Sequence, residues 1–142
     1  MTIKILAIDD DIAMTELLTI LLQSHNFEIT VANSGQEGID LMLKIKPDII
    51  LLDLMMPEMD GWNTCKKIRD LSNIPIVVLS ALSNPGMVAS ALDAGADDYL
   101  IKPVPSSLLV AHIKKFTRRG TGQLPSSPNL INTSKNTEPV FS

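Results

Sequence analysis

The chain of 142 residues is predicted to fold as an α/β domain, a parallel sheet with helices on both faces. Short apolar runs that suit buried strands alternate with amphipathic segments of helical period over residues 1–119. Five such units joined by short connections favour right-handed crossovers, and therefore parallel strands. The spacing alone leaves the order of the strands in the sheet open.

The strands are predicted from short runs rich in isoleucine, leucine and valine. The clearest is IILL, which is apolar throughout and is followed directly by Asp53. A run this short and apolar is typical of a strand that is buried on both faces. The predicted strands cover residues 3–8, 27–31, 48–53, 75–79 and 98–101.

The first two helices are predicted from their capping residues. Asp11 can cap a helix from Ile12 to His25, and Ser34 with Glu37 matches a capping box for a helix that runs on to Ile45. The apolar face of the first helix is expected to consist of Met14, Leu17, Leu18, Leu21 and Leu22.

The last three helices are predicted from glycine and proline. Gly61 opens a third helix, which extends to Leu71. Asn84 followed by Pro85 is a cap with proline at the first helical position, and Gly95 is a stop signal. A fifth helix begins at Pro105 and is expected to reach Arg119.

Residues 120–142 differ in composition from the rest of the chain. They are rich in Ser, Thr, Asn and Pro and carry no hydrophobic period, which is typical of a flexible polar linker or tail. The predicted division is therefore a domain at 1–119 and a linker or tail at 120–142.

The composition excludes several functional classes. A net charge of −4 argues against electrostatic binding of nucleic acid by this segment, and no apolar run approaches the ~18 residues of a membrane span. A single cysteine, Cys65, excludes an internal disulfide and a cysteine metal site. The N-terminus leads straight into a predicted strand and does not resemble a signal peptide, so a cytoplasmic location is expected.

Polar side chains follow four of the predicted strands where each strand ends. Asp9 and Asp10 follow the first, Asp53 the third, Ser80 the fourth and Lys102 the fifth. Neighbouring strands lie about 4.8 Å apart, so these side chains can converge at one edge of the sheet. Carboxylates crowded there repel, and Mg²⁺ suits them because it also accepts water and phosphate oxygens as ligands.

Each of these residues also has a simpler explanation. An acidic residue at a helix start interacts favourably with the helix dipole, which accounts for Asp11 better than for Asp9 and Asp10. Asp53 alone would pass for a turn residue, and Lys102 alone for a surface lysine. Their joint placement at one edge favours a site that handles a cation together with a phosphoryl group.

Four segments in this order resemble the receiver domains of two-component response regulators. They are ILAIDDD at 5–11, IILLDLMMPEMDG at 49–61, VVLSA at 77–81 and GADDYLIKP at 95–103. The resemblance covers residues 1–119 and implies a flavodoxin-like sheet of strand order 2-1-3-4-5.

The resemblance also implies roles for individual residues. Asp53 would accept a phosphoryl group from a histidine kinase or a histidine phosphotransfer protein. Asp9, Asp10, Asp53 and the backbone carbonyl of Met55 would hold Mg²⁺. Lys102 and Ser80 would bind the phosphoryl oxygens and Tyr99 would change rotamer with them, while the bond before Pro103 would be cis. The domain would catalyse only its own phosphorylation and dephosphorylation.

The surface that would change is formed by the fourth helix, the fifth strand and the fifth helix. Receivers that precede a winged-helix DNA-binding domain usually dimerise there through charged pairs. Ser90, Leu108 and His112 stand where such receivers carry a basic residue, a glutamate and an arginine. Association through this face, in a homodimer or with a helix outside this chain, would therefore depend on apolar contacts and respond weakly to salt.

Two further functions compete with this one. A phosphohydrolase that forms an aspartyl-phosphate would carry a general acid two residues after Asp53, where this chain has Met55. An unphosphorylated interaction domain would not need the full set of polar strand-end residues. Met55, together with Leu82 two residues after Ser80, is apolar and cannot orient a water, so the phosphoryl group is expected to last minutes or longer.

Overall fold

The structure is a computed structural model that describes residues 2–56 and 60–118. Its five strands form one parallel sheet of order β2-β1-β3-β4-β5, which confirms the predicted class and the order implied by the resemblance. The strands are β1 Lys4–Ile8, β2 Glu28–Ala32, β3 Ile49–Leu52, β4 Ile76–Ser80 and β5 Asp98–Ile101. The helices are α1 Ile12–Gln23, α2 Gly35–Ile45, α3 Gly61–Leu71, α4 Pro85–Asp93 and α5 Ser106–Thr117.

Side chains of the central strands alternate between two apolar layers, as the two-residue period of a strand requires. One layer combines Leu6 and Ile8 of β1 with side chains of α2, α3 and α4, such as Met42, Ile68 and Ala91. The residues between them in the strands point the other way, and α1 covers that face through Leu18 and Leu22. β3 is buried along its whole length, because both of its faces are covered.

Side-chain caps begin helices α1 to α4, and those of α1, α2 and α4 lie where the sequence indicates. Asp11 accepts from the amide of Met14 at 3.2 Å, and Asn84 accepts from the amide of Gly86 at 2.7 Å. Asp60, which the sequence reasoning passed over, caps α3 and accepts from the amide of Asn63 at 2.8 Å. These caps satisfy amides that have no partner within the helix.

The capping box of α2 differs from its expected form in one bond. Ser34 accepts from the amide of Glu37, as predicted. The Glu37 carboxylate, however, accepts from the amide of Asn33 at 2.8 Å, one residue before the cap. The return bond from the backbone to Glu37 is therefore present, but its donor is Asn33 and not the cap residue Ser34. This bond holds the connection between β2 and α2.

The predicted apolar face of α1 is wrong for Leu17. The buried residues of the helix are Thr15, Leu18 and Leu22, whereas Leu17 is 60% exposed. The error arises because α1 is apolar around most of its circumference, so hydrophobicity does not mark its inner side. Ile12 and Ile20 join Leu17 on the outer side, at 61% and 69% exposure.

Arg69 makes hydrogen bonds at the amino-terminal ends of β4 and β5. This edge of the sheet is opposite the edge where the predicted site residues follow the strands. Its guanidinium donates to the carbonyls of Gly95, Ser72 and Ile74 and forms an ion pair with Asp97 at 2.9 Å. Gly95 adopts a φ of +120°, a conformation that disfavours residues with a side chain. The predicted stop signal of α4 is thus confirmed, with Arg69 holding the turn.

The contacts divide the chain after Lys102. The unit before this point contains the sheet and α1–α4. The unit after it contains α5, where Leu109, Val110 and Ile113 are buried and lie along one side of the helix. The predicted end of this helix at Arg119 and the linker or tail at 120–142 lie outside the described residues. Among the described helices, none is long and apolar enough to cross a bilayer.

Candidate functional site

Backbone hydrogen bonds fix the polar residues that follow the strands. The amide of Asp9 donates to Ala32 of β2, and the amide of Asp53 donates to Ile8 of β1, both at 3.0 Å. The amide of Lys102 donates to the carbonyl of Ser80 at 2.9 Å. Each bond extends the hydrogen-bond ladder of the sheet by one residue beyond the strand. The backbone of the site residues is therefore part of the hydrogen-bond network of the sheet.

Three carboxylates converge at this edge, as the sequence predicts. One oxygen each from Asp9, Asp10 and Asp53 can be chosen so that all lie within 4.8 Å of one another. Asp9 is 4% exposed and Asp53 is 8% exposed, while Asp10 is open to solvent. A carboxylate cluster with one open side suits a cation such as Mg²⁺, which keeps water among its ligands.

Lys102 joins the cluster through Asp9. Its ammonium group lies 3.0 Å from the Asp9 Oδ2 atom, and both side chains are largely shielded from solvent. The other oxygen of Asp9 accepts from the amide of Asp11 at 3.0 Å. The positive charge of Lys102 also acts on Asp53, where burial raises the pKa of the carboxyl and Lys102 lowers it.

Asp53 lies in an environment that disfavours its charge. Burial raises the pKa of Asp53 above its ordinary value, Lys102 lowers it, and the Asp9 carboxylate raises it again. The amide of Met55 donates to Asp53 Oδ1 at 3.4 Å, a long bond that stabilises the anion only slightly. A bound cation would remove this penalty, and the carboxylate set therefore fits a divalent ion.

Ser80 and Tyr99 are joined through the backbone of one residue, Leu82. Ser80 is fully buried at the end of β4, and its Oγ accepts from the amide of Leu82 at 3.2 Å. The Tyr99 hydroxyl donates to the carbonyl of the same residue, Leu82, at 2.7 Å. Tyr99 itself packs against the apolar layer under α3 and α4. A displacement of Ser80 would therefore reach Tyr99 through hydrogen bonds to Leu82.

Two residues that support the site were missed in the sequence. The Asn33 side chain donates to the Asp9 carbonyl at 2.8 Å and lies 3.4 Å from Thr15 Oγ1. Its position directly after β2, at the edge that carries the aspartates, was an available signal. Gly61 donates to the Leu54 carbonyl at 3.0 Å, and a Cβ on it would lie 2.6 Å from the Asp53 carbonyl oxygen.

The remaining predicted roles concern Met55 and Pro103. Met55 follows Asp53 by two residues, and its side chain is 55% exposed. Pro103 directly follows Lys102 and is exposed. The backbone carbonyl ligand from Met55 and the cis bond before Pro103 both stay predictions.

Comparisons with known proteins agree with this geometry. The family model described as "Response regulator receiver domain" matches residues 5–114. The DNA-binding response regulator MtrA of Mycolicibacterium paratuberculosis is 39% identical over 116 residues, which cover 82% of this chain and 52% of MtrA. The transcriptional regulatory protein AfsQ1 of Streptomyces coelicolor is 38% identical over 117 residues, which cover 82% and 52%.

Solved structures of response regulators also match this chain. A two-component response regulator from Clostridium difficile superposes with a TM-score of 0.81 at 35% identity, over 84% of this chain and 98% of that one. The chain thus matches almost all of this solved structure, but it spans about half the length of the two relatives above.

Proposed function

The chain belongs to the response regulator receiver domain family, and from this premise we propose that Asp53 accepts a phosphoryl group from a phosphohistidine. The donor is a histidine kinase or a histidine phosphotransfer protein. The observation that carries the proposal is the buried Asp53 carboxylate, within 4.8 Å of two further carboxylates and beside Lys102.

The transfer exchanges one bond to phosphorus for another. An oxygen of the Asp53 carboxylate attacks the phosphorus and the bond from phosphorus to the imidazole nitrogen breaks. The electron pair of that bond stays on the nitrogen, and the histidine leaves as a neutral ring because its other nitrogen carries a proton. Mg²⁺, held by Asp9, Asp10 and Asp53, would neutralise charge on the phosphoryl oxygens. Lys102 lies close enough to exchange its bond with Asp9 for one with a phosphoryl oxygen.

The response is a shift between two populated conformations. A phosphoryl group on Asp53 offers acceptors to the Ser80 hydroxyl, and a Ser80 drawn towards it gives up the bond from the Leu82 amide. The Leu82 carbonyl accepts a hydrogen bond from the Tyr99 hydroxyl, so the same motion would change the Tyr99 rotamer and the position of the start of α4. Phosphorylation would thereby alter the surface of α4 and β5.

A mass measurement tests the proposal. Incubation with acetyl phosphate and Mg²⁺ should add one phosphate to the chain, and Asp53→Ala should add none. EDTA should prevent the addition in the unchanged chain. Asp70→Ala, which removes an exposed carboxylate of α3, is the matched control and should be phosphorylated normally. An intact chain that gains no phosphate under these conditions would contradict the proposal.

The alternative, a phosphohydrolase, predicts a different outcome. Such an enzyme turns over a phosphomonoester many times, whereas a receiver stops at one phosphate on itself. Met55 stands where the hydrolase would need a general acid, and a thioether cannot donate a proton. Multiple turnover of p-nitrophenyl phosphate would favour the hydrolase over the receiver.

The lifetime of the phosphoryl group follows from its neighbours. The side chains of Met55 and Leu82 offer no strong hydrogen bond to an attacking water. We expect spontaneous phosphate release to take minutes or longer. Release within seconds, measured with a phosphate sensor after removal of the donor, would refute this reasoning.

The surface beside the site suits an apolar partner. Ile12, Leu17 and Ile20 are exposed on α1, which begins directly after the aspartates. A helix of the phosphodonor that packs there would bury apolar area and bring its phosphohistidine to Asp53. A cytoplasmic location, where kinases carry their phosphohistidines, is part of the same proposal.

The homodimer that we propose is apolar. Asp97, an acidic residue just before β5, pairs with Arg69 and accepts from the amide of Ile76, so its charge is already matched within the chain. Met87 and Leu92 of α4 are 40% and 44% exposed. Association measured by sedimentation should therefore differ little between low and high salt, and a strict monomer with and without a phosphoryl mimic would contradict it.

The output that we propose is regulation of an attached or separate effector. The two relatives are named a DNA-binding response regulator and a transcriptional regulatory protein, and the match covers about half of each. Control of a DNA-binding effector is therefore the output assigned to this receiver.

A further inference from the structure

Met55, two residues after Asp53, is the most exposed methionine among the described residues. Met55 is 55% exposed, whereas its neighbour Met56 is 6% exposed and Met42 of α2 is 1% exposed. The amide of Met55 donates to Asp53 Oδ1, so an exposed thioether is attached to a residue that contacts the acceptor carboxylate. Methionine oxidation follows exposure, and it turns an apolar side chain into a polar one.

We propose that Met55 is an oxidation site through which peroxides shorten the lifetime of the phosphoryl group on Asp53, an inference that rests on the proposed function. In the reaction, one oxygen atom passes from the peroxide to the sulfur. The O–O bond breaks, an S–O bond forms and water leaves, with sulfur oxidised and peroxide reduced by two electrons. Methionine sulfoxide reductases reverse the change.

The effect on lifetime follows from hydrogen bonding. The thioether is at most a weak acceptor, so it does not orient a water. A sulfoxide oxygen is a strong acceptor on the same flexible side chain and can hold a water next to the phosphoryl group. One added hydrogen bond in the transition state corresponds to a rate gain of roughly two- to tenfold.

The first test maps oxidation and does not depend on phosphorylation. The chain is treated with limiting hydrogen peroxide, digested and sequenced by tandem mass spectrometry, which separates Met55 from Met56 within one peptide. We expect sulfoxide at Met55 well before Met56 and Met42. Met55 oxidation as slow as that of the buried methionines would overturn the inference.

The second test measures phosphate release before and after oxidation. Oxidised protein should release phosphate roughly two- to tenfold faster, and sulfoxide reductase should restore the slow rate. Met55→Leu should remove the response to peroxide. Met87→Leu removes another exposed methionine, on α4, and should leave the response unchanged. Met55→Gln should release phosphate quickly without any peroxide.

The outcomes separate the two proposals. A chain that is oxidised at Met55 but never phosphorylated would overturn the proposed function and the effect on lifetime together. A chain that is phosphorylated and then releases phosphate at the same rate after full Met55 oxidation would overturn this inference alone. A response that persists in Met55→Leu would place the effect at another methionine and would also overturn it.

Discussion

Replacing Asp53 by asparagine should make the metal-free protein more stable. Asparagine keeps the shape and the acceptor for the Met55 amide, but it removes the charge. Asp9 and Asp53 are both buried, with oxygens no farther than 4.8 Å apart, so their repulsion is roughly 3.5 kcal/mol at an effective dielectric constant of about 20. Attraction to Lys102 offsets part of this. We expect a net gain of about 1–2 kcal/mol in the free energy of unfolding.

Magnesium should reverse the order of stability, so that the unchanged chain has a higher free energy of unfolding than Asp53→Asn. A ligand at 100 times its dissociation constant stabilises the folded state by about 2.7 kcal/mol, and the unchanged chain should receive this gain. Asp53→Asn loses one of the three carboxylates and should gain much less. Urea denaturation in EDTA and in Mg²⁺, followed by fluorescence of the single tryptophan Trp62, measures all four values.

The difference between the proteins should also depend on pH. Burial raises the pKa of Asp53 in the folded chain, so the folded state holds this proton more tightly than the unfolded state. The cost of its charge is therefore present at neutral pH and fades as pH falls through the raised pKa towards 3.8. Glu16→Gln, which removes an exposed charge of α1, is the control. An Asp53→Asn protein that is less stable than the unchanged chain in EDTA at neutral pH would refute the reasoning.

Three other substitutions test separate parts of the structure. Gly61→Ala places a Cβ against the backbone of Leu54 and should lower the free energy of unfolding by about 3 kcal/mol in urea, whereas an unchanged value would contradict the close packing. Arg69→Met leaves the carbonyl of Gly95 without its donor and should cost about 2–4 kcal/mol, so a loss below 1 kcal/mol would argue against the network. Ile20→Lys should slow phosphorylation by the kinase but not by acetyl phosphate, and equal slowing of both would exclude α1 as the docking surface.

The sequence predicted that these side chains converge, because they follow strands that end at one edge of the sheet. Parallel strands bring their carboxyl ends to one edge whatever their order, so Asp9, Asp53 and Lys102 could be grouped before the order was known. Strand order came only through the family resemblance, since short connections allow several arrangements. Backbone partners such as Ala32 and Ile8 then follow directly from the register.

The misses share a different origin. Leu17 was assigned to the core because α1 is apolar on most sides, and only the position of the sheet decides which side is covered. Arg69 donates to the carbonyl of Gly95, which is 26 residues away. The spacing of residues near Arg69 in the sequence does not indicate such a contact. Asn33 could have been found, because it follows a strand at the same edge as Asp9.

The bonds that join Ser80 to Tyr99 have an evolutionary consequence. Both use the backbone of Leu82, one its N–H and the other its carbonyl. The side chain at this position takes no part in them, so a substitution that changed the lifetime of the proposed phosphoryl group would leave both bonds in place. Proline is the exception among the genetically encoded residues, because it alone lacks the N–H. Under the proposed function, the duration of the signal and its transmission could therefore be selected independently at this one position.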